Sequence, residues 1–161
     1  MQRDTTSLSL TATTRIALVE MPARPDAVWP LLGAYVELVW VEVLGLAATV
    51  IARRLGHLLD ETPPTRGVSL DALAAPLHIP TSKALDSLRR LHHHRLIDLR
   101  EHAAVIGCSR LAPGVPEQRV GELSSYTTRL LRQLELEQHG PVERPGRHPL
   151  PPSPRSHTID L

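Results

Sequence analysis

The chain has 161 residues and a formal net charge of +1, and 42 % of its residues are hydrophobic whereas only 2 % are aromatic. This length fits one compact domain and excludes a second domain of ordinary size. The near-zero charge excludes a histone-like or polybasic protein, so any nucleic-acid surface has to be a local patch. The single cysteine, Cys108, excludes an intramolecular disulfide and is typical of a protein of the reducing cytoplasm, where we expect this chain to be located.

Both ends of the chain have compositions that are typical of disorder. Residues 1–14 are rich in threonine and serine and show no apolar stripe, and residues 140–161 carry six of the 15 prolines. Such segments bury too little apolar surface to offset the entropy lost on ordering. We therefore predict a poorly ordered arm over residues 1–24 and a disordered, proline-rich tail over 140–161. The start of the chain lacks the features of a signal peptide.

Residues 31–52 form an apolar stretch that would be long enough to cross a bilayer as one helix. Two glutamates within it would each cost about 2.5 to 3.5 kcal/mol near the membrane centre, and glycines divide the stretch. We therefore predict no membrane span. Instead, frequent β-branched residues predict a short strand over 36–44, and helical spacing of apolar residues predicts a helix over 46–59.

Two short helices joined by a turn are predicted next. Ser69 is a suitable N-cap for a helix over residues 70–78, which Pro76 in its interior should shorten or kink. Thr81 is a suitable N-cap for a second helix over residues 82–94. Two helices connected in this way form a helix-turn-helix.

The stretch LAAPLHIPTSKALDSLRRL, residues 73–91, and the following HHHRLIDLRE resemble the winged helix-turn-helix DNA-binding regulators of bacteria. The family pattern has a Leu-Ala pair, hydrophobic residues around the turn, a Ser or Thr helix start, an Ala-aliphatic pair, a Leu-x-x-Leu and a Gly-Leu-Ile before the wing. This chain departs from the pattern at Pro76 and at Arg95, which stands where glycine is usual. The segments VELVWVEVLG and RLAPGVPEQRVGEL are also similar to an uncharacterised winged-helix family of high-GC Gram-positive bacteria. The positions that match the pattern are Leu73, Ala74, Leu77, Ile79, Thr81, Ala84, Leu85, Leu88, Leu91, Leu96 and Ile97.

The resemblance implies a fold that is mainly α with a small β-wing. We expect a winged helix-turn-helix domain over residues 25–110, with the wing over 96–106 and its tip near Glu101. Residues 111–139 are expected to add a C-terminal helical extension, beginning with a short helix over 117–123.

A longer helix is predicted in this extension, with Ser124 as a suitable N-cap and an end near Gln138. Apolar residues recur at spacings of three and four over residues 120–134. This stripe has two open interpretations. It packs against the rest of the same chain, or it forms a homodimer in which two recognition helices meet successive half-sites on DNA.

The helix over residues 82–94 presents one apolar and one polar side. At 100° per residue its alanine and leucines fall on one side, which should pack inward. The opposite side carries polar side chains that are long enough to reach bases or phosphates in a major groove, although the same side chains also suit a solvated helix face with an ion pair between Asp86 and Arg90. Residues 81–110 contain six basic and three acidic side chains, so the positive charge coincides with the helix and the wing. The candidate DNA-binding residues are Ser82, Lys83, Asp86 and Arg90 toward bases, and Arg89, His93 and Arg100 toward phosphates.

Other kinds of chemistry find little support in the sequence. The consecutive His92, His93 and His94 diverge by 100° each on a helix and cannot converge on one ion, and no metal-binding spacing is present. Signature motifs of hydrolases, phosphate-binding loops and dinucleotide-binding enzymes are also absent. We interpret Cys108 as a buried core thiol. The sequence therefore predicts no enzymatic activity, no metal and no cofactor.

Taken together, these features predict a cytoplasmic, sequence-specific DNA-binding protein. It would be a transcriptional regulator whose helix over residues 82–94 reads the major groove of double-stranded DNA. The alternative is a winged-helix module that binds a protein partner and no DNA, because a fold does not fix its function. The sequence identifies no effector ligand.

Overall fold

A computed structural model describes residues 10–61 and 67–139 of the chain. The protein is a mixed α/β protein in which helices predominate and the sheet is small, which agrees with the predicted balance of elements. The predicted tail over residues 140–161 lies outside the described residues. The elements, in chain order, are β1 (Ile16–Glu20), β2 (Ala27–Pro30), α1 (Val41–Leu44), α2 (Leu46–Asp60), β3 (Gly67–Val68), α3 (Leu70–Ala74), α4 (Thr81–His93), β4 (Ile97–Arg100), β5 (Val105–Cys108), β6 (Leu111–Pro113), α5 (Glu117–Val120) and α6 (Ser125–His139).

The main sheet has four strands in the order β3–β1–β5–β4, and β2 pairs with β6 in a separate two-stranded ladder. Strands β4 and β5 are antiparallel and form a hairpin where the sequence predicts the wing. The turn of this hairpin, Glu101–Ala103, leads into Ala104, which has a left-handed backbone with φ of 48°. β4 is an edge strand of the sheet, and it contacts α4, the helix that precedes it.

The N-terminal segment contributes a strand that the sequence analysis did not predict. Residues 16–20 were expected to belong to a poorly ordered arm, but they form β1, which pairs in parallel with β5 and antiparallel with β3. Ile16 and Leu18 are buried and alternate with exposed neighbours, as in a strand that covers the core with one face. The expectation of disorder therefore does not hold for these residues, and residues 1–9 lie outside the described part of the chain.

Residues 36–44 are helical, so the prediction of a strand is wrong. Val36–Trp40 wind as a π-helical turn that continues directly into α1. Buried side chains recur here at spacings of three and four, whereas Glu37 and Glu42 are exposed, and this helical periodicity outweighs the β-propensity of the branched residues. The buried side of this helix consists of Val36, Val39, Trp40 and Leu44.

The remaining helices lie close to their predicted positions. α2, α4 and α6 each begin and end within about one residue of the expected bounds. The helix predicted over 70–78 is shortened to α3, and Pro76 lies in the single 3₁₀ turn that follows it. The Ser69 hydroxyl caps α3 by accepting a hydrogen bond from the Ala72 amide at 3.2 Å. The N-cap of α4 is Pro80, and Thr81 is its first residue.

A single apolar core connects the helices to the sheet. Trp40 is fully buried, and its indole N–H donates a 2.9 Å hydrogen bond to the carbonyl of Pro113. The rings of Trp29 and Tyr35 stack with centroids 3.9 Å apart, and the Tyr35 hydroxyl accepts a hydrogen bond from the Val115 amide. Within the two described ranges, every helix is too short or too polar to cross a membrane.

Candidate nucleic-acid interface

Helix α4 is anchored on its apolar side and exposed on its polar side. Ala84, Leu88 and Leu91 are all completely buried, and they pack where α4 meets α2, α3 and β4. The orientation expected from the spacing of these residues is therefore observed. The candidate DNA-binding residues of α4 that are exposed are Ser82, Lys83, Asp86, Arg89, Arg90 and His93.

The N-terminal half of α4 borders a groove that it shares with the first turn of α2. Ser82, Lys83 and Asp86 form the polar wall of this groove, and Leu46, with 71 % of its surface exposed, belongs to the apolar wall. The Lys83 side chain has no hydrogen-bond or ion-pair partner among the described residues. The Lys83 ammonium is therefore available to an external acceptor such as a base edge or a phosphate.

Arg89 is bound to the tip of the β4–β5 hairpin. Its Nε donates to Oε1 of Glu101 at 2.7 Å and its Nη2 donates to Oε2 at 2.9 Å, a two-bond contact that lowers the pKa of Glu101. The nearest carboxylate on α4 itself is Asp86, 3.7 Å from Arg89. The alternative interpretation of this side as a solvated helix face would pair Asp86 with Arg90 instead. That pair does not form between these described residues because Arg90 is directed elsewhere.

Arg90 and Arg100 also contact groups of the protein. Arg90 donates a 2.9 Å hydrogen bond to the carbonyl of Leu44, the last residue of α1, and so fixes α4 to the corner between α1 and α2. Arg100 forms a 2.9 Å ion pair with Asp98 on the same strand. Of the four arginine and lysine side chains that are predicted to contact DNA, three therefore already have intramolecular partners.

The three consecutive histidines contact different groups. His92 Nδ1 accepts a 3.1 Å hydrogen bond from the amide of Leu99 and so covers part of the edge of β4. His93 lies edge-on to His94, and His94 lies edge-on to Trp40. Burial and neighbouring cationic groups lower the pKa of His94. In the part of the chain that the structure describes, no three His, Cys, Asp or Glu side chains are grouped so that they could hold a metal ion.

Cys108 lies in the core, which confirms the interpretation of this residue as a buried thiol. Burial, with a smaller contribution from Glu20, raises its pKa to about 12. Because the thiolate is the nucleophilic form, this cysteine is unreactive in the folded protein.

The C-terminal helix α6 packs against its own chain. Ser124 caps it as predicted, with its hydroxyl accepting from the Thr127 amide at 3.2 Å. Glu42 binds the same end of α6 from α1. The intramolecular interpretation therefore accounts for most of the apolar stripe, although Tyr126 remains 67 % exposed. Members of the stripe that are buried in or packed on the core are Val120, Leu123, Leu131 and Leu134.

The residues that the sequence analysis missed are the intramolecular partners of the arginines. Glu101 was placed at the tip of the wing but was not paired with Arg89, and the carbonyl of Leu44 was not connected with Arg90. These contacts join residues 12 and 46 positions apart. No local spacing rule identifies them, because they depend on how the hairpin and α1 pack against α4.

Comparisons with known proteins give no match. No protein-family model, no curated protein and no solved structure matches the chain. A functional interpretation therefore depends on the geometry of α4 and the hairpin and on the resemblance of residues 73–91.

Proposed function

We propose that the protein is a winged helix-turn-helix protein that binds double-stranded DNA sequence-specifically and acts as a cytoplasmic transcriptional regulator, without catalysing a reaction. The observation that carries this proposal is the position of α4. The apolar residues on one side of α4 are buried, and its opposite side is exposed beside the tip of the β4–β5 hairpin, where His102 and Ala103 are exposed. A helix held in this way enters a major groove, and an adjacent hairpin contacts the flanking backbone.

The order of the elements supports the same proposal. α3, a single turn, α4 and the β4–β5 hairpin follow one another as the resemblance of residues 73–91 implies. The contacts within the protein then divide the candidate residues by role. We assign Ser82, Lys83 and Asp86 to base contacts, since these side chains are exposed at the N-terminal half of α4. Arg90 instead orients α4 through the carbonyl of Leu44.

The remaining candidates, Arg89, His93 and Arg100, face the DNA backbone in this proposal. Phosphate contacts supply much of the affinity of a DNA-binding protein. Because Arg89 and Arg100 are paired with Glu101 and Asp98, this surface carries little free positive charge. The proposal therefore implies modest affinity for DNA of arbitrary sequence and a larger relative contribution from base contacts.

The experiment that tests the proposal is selection from a random-sequence duplex pool, performed with the purified full chain at two salt concentrations. Enrichment of a motif, with affinity that falls as salt rises, would support the proposal. Lys83→Ala should lower the affinity for the selected motif about tenfold, as expected for loss of one base or phosphate contact. Arg54→Ala removes one positive charge from an exposed position on α2, outside both α4 and residues 120–134, and should leave the affinity unchanged. A palindromic motif would further support a homodimer through residues 120–134.

A second candidate function is binding of a protein partner without DNA. It is favoured by one observation: Arg89, Arg90 and Arg100 are all engaged by groups of the protein. The exposed Leu46 beside Lys83 would suit an apolar contact with a partner. Failure of the wild-type chain to retain any duplex at the lowest salt would overturn the DNA proposal and leave this candidate.

A further inference from the structure

Arg95, directly after α4, has a backbone conformation that favours glycine. Its φ is 64°, in the left-handed region. Two hydrogen bonds fix it there: the Arg95 amide donates to the carbonyl of His92 at 2.9 Å, and the Leu96 amide donates to the carbonyl of Leu91 at 3.0 Å. This arrangement ends many helices, and glycine usually occupies the left-handed position because a β-carbon is strained there. Strained residues of this kind are found preferentially at functional sites.

The Arg95 side chain lies at the rim of a groove of about 700 Å³. The groove lies between the segment that connects β1 with β2 and the end of α4 with the start of β4. Its volume is in the range of small-molecule binding sites, about 300 to 1,000 Å³. The apolar part of its lining, called the groove floor below, includes Met21, Leu96, Ile97 and Leu111, and polar side chains, Arg95 among them, line the rest, a combination that suits an amphipathic ligand.

Except for His93, whose ring lies edge-on to His94, the other ionisable groups along this groove have hydrogen-bond or ion-pair partners. Arg24 pairs with Asp26 at 3.2 Å, and Asp98 pairs with Arg100 at 2.9 Å. The imidazole of His92 is bound to the Leu99 amide, as described above. By contrast, the Arg95 side chain has no hydrogen bond or ion pair with any residue in 10–61 or 67–139. The groove therefore presents one uncompensated guanidinium, which matches a ligand with a single negative charge.

We propose that this groove is a binding site for a small organic monocarboxylate. Its carboxylate binds the guanidinium of Arg95 through two parallel hydrogen bonds, and its apolar part covers Leu96, Ile97 and Leu111 on the groove floor. An inorganic anion would satisfy Arg95 but would leave the apolar floor uncovered. An uncharged apolar molecule would cover the floor but leave Arg95 without a partner. None of the residues assigned to base contacts lines the groove, and His93 is the one residue assigned to the DNA backbone that does.

The test is a calorimetric titration of the full chain with sodium hexanoate. Hexanamide and inorganic phosphate are titrated in parallel. We expect saturable binding of one hexanoate per chain, with hexanamide and phosphate each about tenfold weaker, as loss of a charge-assisted contact or of the apolar contact implies. Equal binding of hexanoate and hexanamide, or no saturable binding of hexanoate, would overturn the proposal.

Variants of Arg95 separate the side chain from the fold. Arg95→Gly suits the left-handed backbone, so the fold is retained while hexanoate binding should fall about tenfold. Arg95→Lys keeps the charge and should retain more of the binding than Arg95→Gly. Arg54→Gln removes a paired arginine from α2, away from the groove, and should bind hexanoate as the wild type does. If hexanoate fails to bind but Arg95→Gly weakens DNA binding, Arg95 is a phosphate contact and the carboxylate site is refuted.

Discussion

Replacement of Glu101 by glutamine is expected to raise the affinity of the protein for double-stranded DNA. The two oxygens of Glu101 accept hydrogen bonds of 2.7 and 2.9 Å from Arg89, so the guanidinium on the exposed side of α4 is already bound to a carboxylate. The same carboxylate, at the tip of the hairpin, would repel a DNA phosphate. Glutamine has nearly the same shape but no charge. The substitution therefore weakens the internal contact and removes the repulsion together.

The size of the effect follows from the release of one additional counterion from the DNA. If Arg89 gains one phosphate contact, the plot of log affinity against log salt steepens by about 0.9. Over a fourfold change in salt, this corresponds to an additional factor of about 3.5 in the affinity. At the lower salt we expect the affinity to rise about fivefold to tenfold, in line with one charge-assisted contact at a solvated surface. The loss of the exposed pair with Glu101 should cost less than about 1 kcal/mol of stability.

The measurement is fluorescence anisotropy of a labelled duplex with wild-type protein, Glu101→Gln and Glu61→Gln over a series of salt concentrations. Glu61 is an exposed carboxylate that pairs with Arg54 on α2, so its replacement removes the same charge away from the hairpin. An unchanged salt slope for Glu101→Gln would refute the idea that Glu101 masks Arg89. A fall in affinity would show instead that Glu101 holds Arg89 in its binding position. Absence of DNA binding by the wild type would refute the proposed function itself.

Three further predictions concern stability and reactivity. Glu42 accepts hydrogen bonds at the N-terminus of α6 from the Ser124 amide at 2.8 Å, the Ser124 hydroxyl at 2.6 Å and the Thr127 hydroxyl at 2.5 Å. Glu42→Gln should therefore lower the free energy of unfolding, measured in urea, by about 1 kcal/mol, as loss of a helix cap does. These bonds lower the pKa of Glu42, so the stability that they contribute is complete above the ordinary pKa of 4.5 and is lost as the pH falls through the lower pKa of the folded protein. A difference in the free energy of unfolding between variant and wild type that persists in strong acid would contradict this. Arg95→Gly should raise the free energy of unfolding by about 1 kcal/mol because it removes backbone strain, and a fall would show that the side chain stabilises the fold. Cys108 should react with a thiol reagent only as fast as the chain unfolds, and rapid labelling under native conditions would refute its burial.

The helices could be predicted where one periodicity dominates the sequence. In α4, Ala84, Leu88 and Leu91 are spaced so that only a helix buries them together, and all three are completely buried. Residues 36–44 are ambiguous because branched residues favour a strand while the spacing of the buried positions favours a helix. Contact with α6 and α2 selects the helix. β1 was missed because its two buried residues, Ile16 and Leu18, form too short an alternation to stand out, and its partners β3 and β5 are distant in sequence.

The sequence predicts which residues of the candidate site are exposed, but not how much of their charge is available to a ligand. Helical geometry alone places Lys83 and Arg89 on the exposed side of α4. Whether each cation is free depends on the position of Glu101 after the hairpin has folded back on the helix, and of Leu44 at the end of α1. Such contacts are set by tertiary packing, so a count of basic residues overestimates the charge available to a ligand.

This distinction decides what kind of DNA binding the proposed function implies. A surface with six free cations would bind any duplex, and its specificity would have to emerge against a high non-specific background. On α4 the arginines are engaged by protein groups, and Lys83 is the cation without a partner among the described residues. Affinity for random duplex should therefore show a shallow salt dependence, with a slope of magnitude near one or two. A slope of magnitude near three for the wild type would mean that Arg89 and Arg100 join Lys83 by exchanging their carboxylate partners for phosphates on binding, and that the internal pairs hold these arginines only in the free protein.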